Sequence, residues 1–112
     1  MNWWVYMILT DTNHFYTGIT TDPCRSLLEH RDGNTGAKYF RSKKPTAFAL
    51  LENFADRSLA SKREHAIKKL THTQKNALVI QCLDFTRQLY QTLMLKDLGI
   101  PLMSFSTEDA KP

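Results

Sequence analysis

The chain has 112 residues, of which 42% are hydrophobic and 23% are charged, so we expect a single globular domain and exclude extended disorder. The formal net charge of +4 favours a polyanionic partner but is too small to establish one. Two cysteines without a C-x-x-C motif indicate reduced thiols. The N-terminus does not have the pattern of a signal peptide, and no apolar stretch approaches the roughly 20 residues of a membrane helix. We therefore expect a cytoplasmic protein with no membrane partner.

Two strands are predicted at the start of the chain. Residues 3–9 are rich in aromatic and β-branched side chains, which is typical of a strand, and residues 14–20 are a second candidate. The polar residues 10–13 between them predict a turn, so the three segments together predict a β-hairpin.

The register of this hairpin decides whether Tyr6 and Tyr16 are neighbours. If Leu9 pairs with Asn13, Tyr6 falls opposite Tyr16 on the same face of the hairpin. A slip of one residue puts the two phenols on opposite faces. The hairpin sequence by itself is compatible with either register.

One helix and a third strand are predicted to follow the hairpin. Asp22 is a suitable N-cap and Pro23 suits the first helical position, so a helix is predicted from there to about His30. Residues 46–54 predict the third strand.

The second half of the chain predicts three helices. Asp56 and Ser58 are rival N-caps for a helix that reaches about Leu70. A capping-box pattern begins the next helix, over residues 71–82, and a last helix is predicted over residues 84–98. The order β-β-α-β-α-α-α predicts an α+β fold in which helices cover a small antiparallel sheet.

The tyrosine pair is the first candidate functional feature. If Tyr6 and Tyr16 lie side by side, their hydroxyls are able to share a proton network with a bound water. The alternative is that both are packing residues with one end in solvent, which is the commoner use of strand tyrosines.

The predicted first helix carries a second candidate. Ser26 and His30 are four residues apart and share one face of the helix. Arg25 and Glu29 are also four apart and lie about a third of a turn aside, where the simplest interpretation is an exposed ion pair. A histidine at a helix end is equally suited to interact with the negative end of the helix dipole.

Two basic segments complete the set of candidates. Residues 36–44 interleave cations with aromatic rings, a pattern suited to nucleic-acid phosphates and bases. The cations of this segment are Lys38, Arg41, Lys43 and Lys44. Glu64 is the one acid within residues 62–70, so it is either an intrahelical ion-pair partner or a ligand for a hard cation such as Mg²⁺ or Mn²⁺.

The order of these features resembles the GIY-YIG nuclease family. Trp4-Val5-Tyr6 and Tyr16-Thr17-Gly18 resemble the two triplets that name the family, although Trp4 stands where the first triplet has its glycine. His30 and then Arg63-Glu64-His65 follow in the family order. The resemblance covers about residues 2–80 and is to the small stand-alone bacterial, UPF0213-type, subgroup.

This resemblance implies both a fold and a chemistry. The fold is a three-stranded antiparallel sheet flanked by helices, in the register that sets Tyr6 beside Tyr16. The activity is metal-dependent hydrolysis of phosphodiester bonds, with Glu64 as the ligand of one Mg²⁺ or Mn²⁺ ion. Tyr16 corresponds to the general base and Tyr6 to its supporting neighbour. His30 corresponds to a proton relay or phosphate contact.

The chain departs from the family pattern at one position of the first helix. Family members carry an arginine four residues before the position of His30, and this chain has Ser26 there. Arg25 is adjacent but about 100° around the helix axis, and Lys38 is the other cation able to substitute. Loss of such a group typically costs about a hundredfold to a thousandfold or more in rate, so activity is impaired unless Arg25 or Lys38 takes its place.

Three functions therefore remain open at the level of sequence. The first is a metal-dependent DNA endonuclease, structure-dependent or non-specific, and the second is a catalytically inactive nucleic-acid-binding module. The third is an interaction protein that uses an apolar face within residues 83–103. We expect a monomer or weak homodimer with a nuclease-like domain over residues 1–82, a packed helical extension over 83–103 and a flexible tail over 104–112.

Overall fold

The computed structural model describes residues 2–32 and 44–103, except for the side chains of residues 30–32. The strands are β1 (Trp3–Thr10), β2 (Phe15–Thr20) and β3 (Pro45–Phe54). The helices are α1 (Pro23–Asp32), α2 (Arg57–Lys68), α3 (His72–Gln81) and α4 (Leu83–Thr92), followed by a 3₁₀ turn at Leu95–Leu98. These elements confirm the predicted α+β fold with a three-stranded antiparallel sheet. Among them, no helix is both long enough and apolar enough to cross a membrane.

The sheet has the strand order β2-β1-β3, and its hairpin register is neither the pairing of Leu9 with Asn13 nor a slip of one residue from it. Leu9 pairs with Phe15 instead, because the turn is longer and Asn13 adopts a left-handed conformation with φ 62°. This shift of two residues preserves the side-chain alternation. Tyr6 and Tyr16 therefore share a face, as the family resemblance implied, but they are diagonal neighbours and Tyr6 lies opposite Gly18.

Both faces of the sheet are covered, because alternate residues of β1 enter two different apolar clusters. Tyr6 and Ile8 face one cluster, which includes Leu27 of α1 and Tyr90 of α4. Val5 and Met7 face the other cluster, which α2 and α3 cover with three fully buried residues. These residues are Ala60, Ile67 and Val79.

Local hydrogen bonds determine where the helices begin. The backbone N–H of Arg25 donates to the Asp22 carboxylate at 3.1 Å, as expected for an N-cap. Asp56, rather than its rival Ser58, caps α2 and accepts from the N–H of Leu59 at 2.9 Å. The predicted capping box at Thr71 is present at the start of α3.

The predicted single helix over residues 84–98 is wrong, because α4 ends at Thr92 and Met94 turns the chain in a left-handed conformation. Leu93 is half-buried on the core, whereas Leu95 is fully buried. In a continuous helix these two side chains would lie about 200° apart around the axis, so both could not face one core. The break at Met94 allows both leucines to pack.

The exposed Met94 provides a test of this break, since its φ of 56° is a conformation that glycine adopts without steric cost. A left-handed non-glycine residue costs about 1–2 kcal/mol, and the greater freedom of unfolded glycine offsets about 0.5–1 kcal/mol of the gain. We expect Met94→Gly to raise the free energy of unfolding in urea by about 0.5–1 kcal/mol. The control Gln91→Gly, inside α4, should lower it by about 1 kcal/mol. Equal destabilisation by both substitutions would contradict the turn.

Candidate active site

Strands β1 and β2 bring Tyr6 and Tyr16 into contact. Their ring centroids lie 6.2 Å apart with an interplanar angle of 40°. The hydrogen bond between the two side chains raises the pKa of Tyr6 and lowers the pKa of Tyr16. Tyr6 is the more deeply buried phenol, so Tyr16 loses its proton more readily, and the Tyr6 hydroxyl then donates to the Tyr16 oxygen.

The carboxylate of Glu64 on α2 lies near enough for its charge to raise the pKa of both phenols. Burial is the largest cause of the raised pKa of Tyr6, followed by the charge and hydrogen bond of Tyr16, and then by the charge of Glu64. Burial and the Glu64 charge also raise the pKa of Tyr16, against the lowering effect of Tyr6. The structure therefore brings together three of the residues predicted from the sequence, and both phenols are protonated at neutral pH in the free protein.

Gly18 is a site residue to which the sequence reasoning assigned no function beyond its place in the motif. It pairs with Tyr6 across the hairpin, and a Cβ added to it would lie 2.6 Å from the Tyr6 hydroxyl oxygen and 2.8 Å from ring carbon Cζ. The Tyr6 phenol therefore lies against the bare backbone of Gly18. The signal was present in the sequence, since a glycine inside a strand often marks close approach by another group.

Two contacts set the rotation of α2 that presents Glu64. Ala60 and Ile67 bury the helix against the sheet. Arg63 donates two hydrogen bonds to the carboxylate of Glu52 on β3, at 2.8 and 3.1 Å, which fixes one flank of the helix. Glu64 follows on the other flank, where Lys68 lies 3.5 Å from its carboxylate. The ion pair considered from the sequence is therefore present, alongside the proximity to the phenols.

Glu64 is the candidate ligand for a metal ion, and its surroundings restrict which ion fits. Among residues 2–32 and 44–103, no group of three or more His, Cys, Asp or Glu side chains is placed to hold a metal. A closed zinc or calcium site is thus inconsistent with these side chains. Mg²⁺ fits better, because it keeps several waters and often takes one or two carboxylates with substrate phosphate oxygens, and carboxylate oxygens also suit Mn²⁺.

The N-terminal turn of α1 shows what Ser26 does in place of the family arginine. Its hydroxyl donates to the Thr20 hydroxyl at 2.7 Å, and Thr20 Oγ1 also accepts from the backbone N–H of Asp22 at 3.0 Å. Ser26 therefore tightens the junction between β2 and α1 and supplies no charge. Arg25 is exposed and lies 3.9 Å from Glu29, the surface ion pair that its spacing indicated.

The remaining predicted residues are placed only in part. His30 belongs to α1, but its side chain is outside the described set. Lys38, Arg41 and Lys43 lie outside the described residues. Lys44 is exposed, and its backbone N–H donates to the Asp11 carboxylate at 3.2 Å. Nothing in this placement tests the binding of nucleic acid by that segment.

Substitution of Gly18 tests its contact with Tyr6. We expect Gly18→Ala to lower the free energy of unfolding by about 1–3 kcal/mol, because buried Tyr6 has little room to move away. The same substitution should shift the NMR resonances of both site tyrosines. Gly99→Ala is the control, since its cost arises from φ +82° with no atom within 4 Å of the added Cβ. Unchanged tyrosine resonances in Gly18→Ala would contradict the proposed packing.

The direction of the phenol hydrogen bond predicts opposite effects of two substitutions. Tyr6→Phe removes the donor and should raise the pKa of Tyr16, whereas Tyr16→Phe should lower the pKa of Tyr6. NMR titration of ¹³Cζ-labelled tyrosine compares the onset of ionisation of each phenol over the pH range in which the protein stays folded. Tyr90→Phe is the control, because the Tyr90 hydroxyl donates to the Ile100 carbonyl instead, at 2.6 Å. Shifts of the same sign in Tyr6→Phe and Tyr16→Phe would refute the assigned direction.

Comparison with known proteins identifies the family of the chain. Residues 2–77 match the model of the GIY-YIG catalytic domain. The UPF0213 protein YhbQ of Salmonella typhimurium is 40% identical over 101 residues, which is 90% of this chain and 94% of the relative. The UPF0213 protein DP2720 of Desulfotalea psychrophila is 46% identical over 77 residues, 69% of this chain and 70% of the relative.

A solved structure shows the same similarity. The NMR structure of the protein EF2693 from E. faecalis is 41% identical and has a TM-score of 0.53, with 72% of this chain and 85% of that chain covered. The family match includes both strand tyrosines and Glu64. The chain therefore belongs to the GIY-YIG catalytic-domain family, together with its UPF0213 relatives.

Proposed function

We propose that the chain is an endonuclease that hydrolyses phosphodiester bonds of DNA with the aid of one Mg²⁺ or Mn²⁺ ion. Its GIY-YIG catalytic domain supports a nuclease-type function. The observation that carries the finer proposal is the convergence of Tyr6, Tyr16 and Glu64 from three different elements. Two hydrogen-bonded phenols beside a carboxylate supply a proton acceptor and a cation ligand within one small region.

Tyr16 is the general base in this proposal, and Tyr6 positions it. The hydrogen bond donated by Tyr6 favours the ionised form of Tyr16, which is what a base needs before it accepts a proton from the attacking water. Burial and the charge of Glu64 oppose ionisation. A cation held by Glu64 would offset the effect of the Glu64 charge on the Tyr16 pKa. Tyr16 is therefore expected to accept a proton only when the metal ion is bound.

Glu64 would hold the divalent ion, with its remaining ligands from water and substrate phosphate. When bound, such an ion polarises the phosphate and stabilises the leaving oxygen. Lys68 balances the Glu64 carboxylate in this structure and would compete with the ion for it. In the same proposal, His30 contacts the phosphate or relays a proton.

Neutralisation of the charge on the reacting phosphate is the least complete part of the proposed site. Arg25 would have to leave Glu29 to reach the substrate, and breaking that exposed pair costs little. Lys38 is the second candidate for this task. The cations of residues 36–44 are proposed to bind the DNA backbone. They are Lys38, Arg41, Lys43 and Lys44.

Ser26 favours a second candidate function, a nucleic-acid-binding module without catalysis. Its hydroxyl is engaged within the turn, 2.7 Å from Thr20 Oγ1, and carries no charge toward a substrate. If Arg25 stays on Glu29, it does not neutralise the reacting phosphate. The two candidates differ only in turnover, so a cleavage assay separates them.

Nicking of supercoiled plasmid with Mn²⁺ is the test of the nuclease. We expect wild-type protein to nick and Glu64→Gln to lose about a hundredfold or more in rate, because the cation ligand is removed. Asp84→Asn is the control with the same change of charge, at a carboxylate that is almost fully exposed on α4. Equal nicking by wild type and Glu64→Gln would eliminate this metal site.

Ser26→Arg and Arg25→Gln extend the same assay to the charge on the phosphate. If wild type is inert but Ser26→Arg nicks, the binding module is the correct function and the fold has kept a dormant cleavage site. If wild type nicks and Arg25→Gln does not, Arg25 supplies the missing charge. Binding of the inert protein should weaken with added salt, as phosphate contacts require.

A further inference from the structure

The outer face of α2 forms a basic surface that the proposed mechanism does not use. Five residues surround a shallow depression of about 430 Å³, with Ala66 among them. The others are Ser61, Lys62, His65 and Lys69. We call these five residues the α2 outer face. Residues three and four apart in a helix share a side, which places this surface away from buried Ala60 and Ile67.

Helix α2 is one of two strongly basic segments of the chain. Residues 57–69 contain five lysines and arginines and one carboxylate, Glu64, which gives a formal net charge of +4. Residues 36–44 contain four cations and no carboxylate. A polyanion is therefore attracted to α2 more than to the average surface of the molecule.

Two of these cations are available for a ligand. Arg63 is bound to Glu52, Lys68 to Glu64, and Arg57 lies over the Trp3 ring, 5.5 Å from its centroid. Within the part of the chain that the structure describes, neither Lys62 nor Lys69 forms an ion pair with a carboxylate.

The spacing of these free cations suits a nucleic-acid strand. Lys62 and Lys69 are seven residues apart, or about 10 Å along the helix axis. One strand of B-form DNA rises about 3.4 Å per nucleotide along the duplex axis, and its backbone also winds around that axis, so two lysines at this separation reach phosphates about one or two nucleotides apart. Ala66 lies between the lysines and leaves room for a phosphate, while Ser61 and His65 offer further hydrogen-bond donors.

We propose that the α2 outer face binds the phosphodiester backbone on one side of the bond that is cut. The site lies on the opposite side of α2 from Glu64, whose charge acts on the phenols. It binds phosphates without reading bases, because lysines provide charge and little geometric selection. The inference rests on the nucleic-acid-binding part of the proposed function.

The test measures DNA affinity at several salt concentrations, with a chelator present so that no strand is cut. Lys62→Gln/Lys69→Gln should reduce the slope of log K against log [salt] by about 2 and weaken binding at least about tenfold at low salt. The control Arg87→Gln/Lys96→Gln makes the same change in net charge on α4 and the 3₁₀ turn. It should alter the slope much less.

A second pair of variants tests the depression itself. Ala66→Glu places a carboxylate between the two lysines and should weaken binding by about the same factor, whereas neutral Ala66→Gln should weaken it less. Ala66 is exposed, and both replacements favour helix formation, so the fold is expected to be retained. Circular dichroism checks this.

The outcomes separate this inference from the nuclease assignment. If wild type nicks DNA, and the lysine variant and its charge-matched control lose DNA affinity and salt slope equally, the proposed role of the α2 outer face is wrong. The nuclease assignment would still stand in that case. A selective loss of slope in the lysine variant supports the surface, even if wild type proves unable to nick. Absence of any DNA binding at low salt would overturn the surface and the nucleic-acid-binding function together.

Discussion

The contact between the Tyr6 ring and the backbone of Gly18 is the constraint that the rest of the site depends on. The hairpin register sets these two residues opposite each other, and only a residue without Cβ leaves space for the phenol. With Tyr6 held there, its hydroxyl donates to Tyr16 and sets which phenol ionises first. A longer turn through left-handed Asn13 determines this register, so a detail of loop geometry determines a relation between two candidate catalytic groups.

Helix α2 combines three tasks on three sides. One side packs into the sheet through Ala60 and Ile67, and one flank is fixed by the two hydrogen bonds from Arg63 to Glu52. That fixed rotation leaves Glu64 close to the phenols and the free lysines on the far side. A helix period of 3.6 residues separates adjacent residues by about 100°. Buried Ala60, the Glu52 partner Arg63 and the candidate metal ligand Glu64 can therefore point in different directions although they lie close together in sequence.

The junction between β2 and α1 shows how the chain accommodates its departure from the family pattern. A serine hydroxyl at position 26 joins the local network of Thr20 and Asp22, which stabilises the start of α1. The same position then supplies no charge for a phosphate. A serine at position 26 stabilises the start of the helix, whereas an arginine there would provide charge for the transition state. Such a trade-off between stability and function is expected where function needs the less stabilising residue.

The sequence by itself determined the strands, the helix caps and the family, because side-chain alternation, Asp and Thr caps and motif order are local properties. It also identified Tyr6, Tyr16 and Glu64 as candidate site residues. Only the tertiary structure decided that Tyr6 is diagonal to Tyr16, that α4 ends before Met94 and that position 18 requires a residue without a Cβ. The first depends on the strand register, and the second on the packing of Leu93 and Leu95 into the same core. The third depends on the distance between the Tyr6 hydroxyl and a Cβ at position 18. Register and core packing depend on contacts between elements, and a glycine inside a strand signals a close approach without naming Tyr6 as the group that approaches.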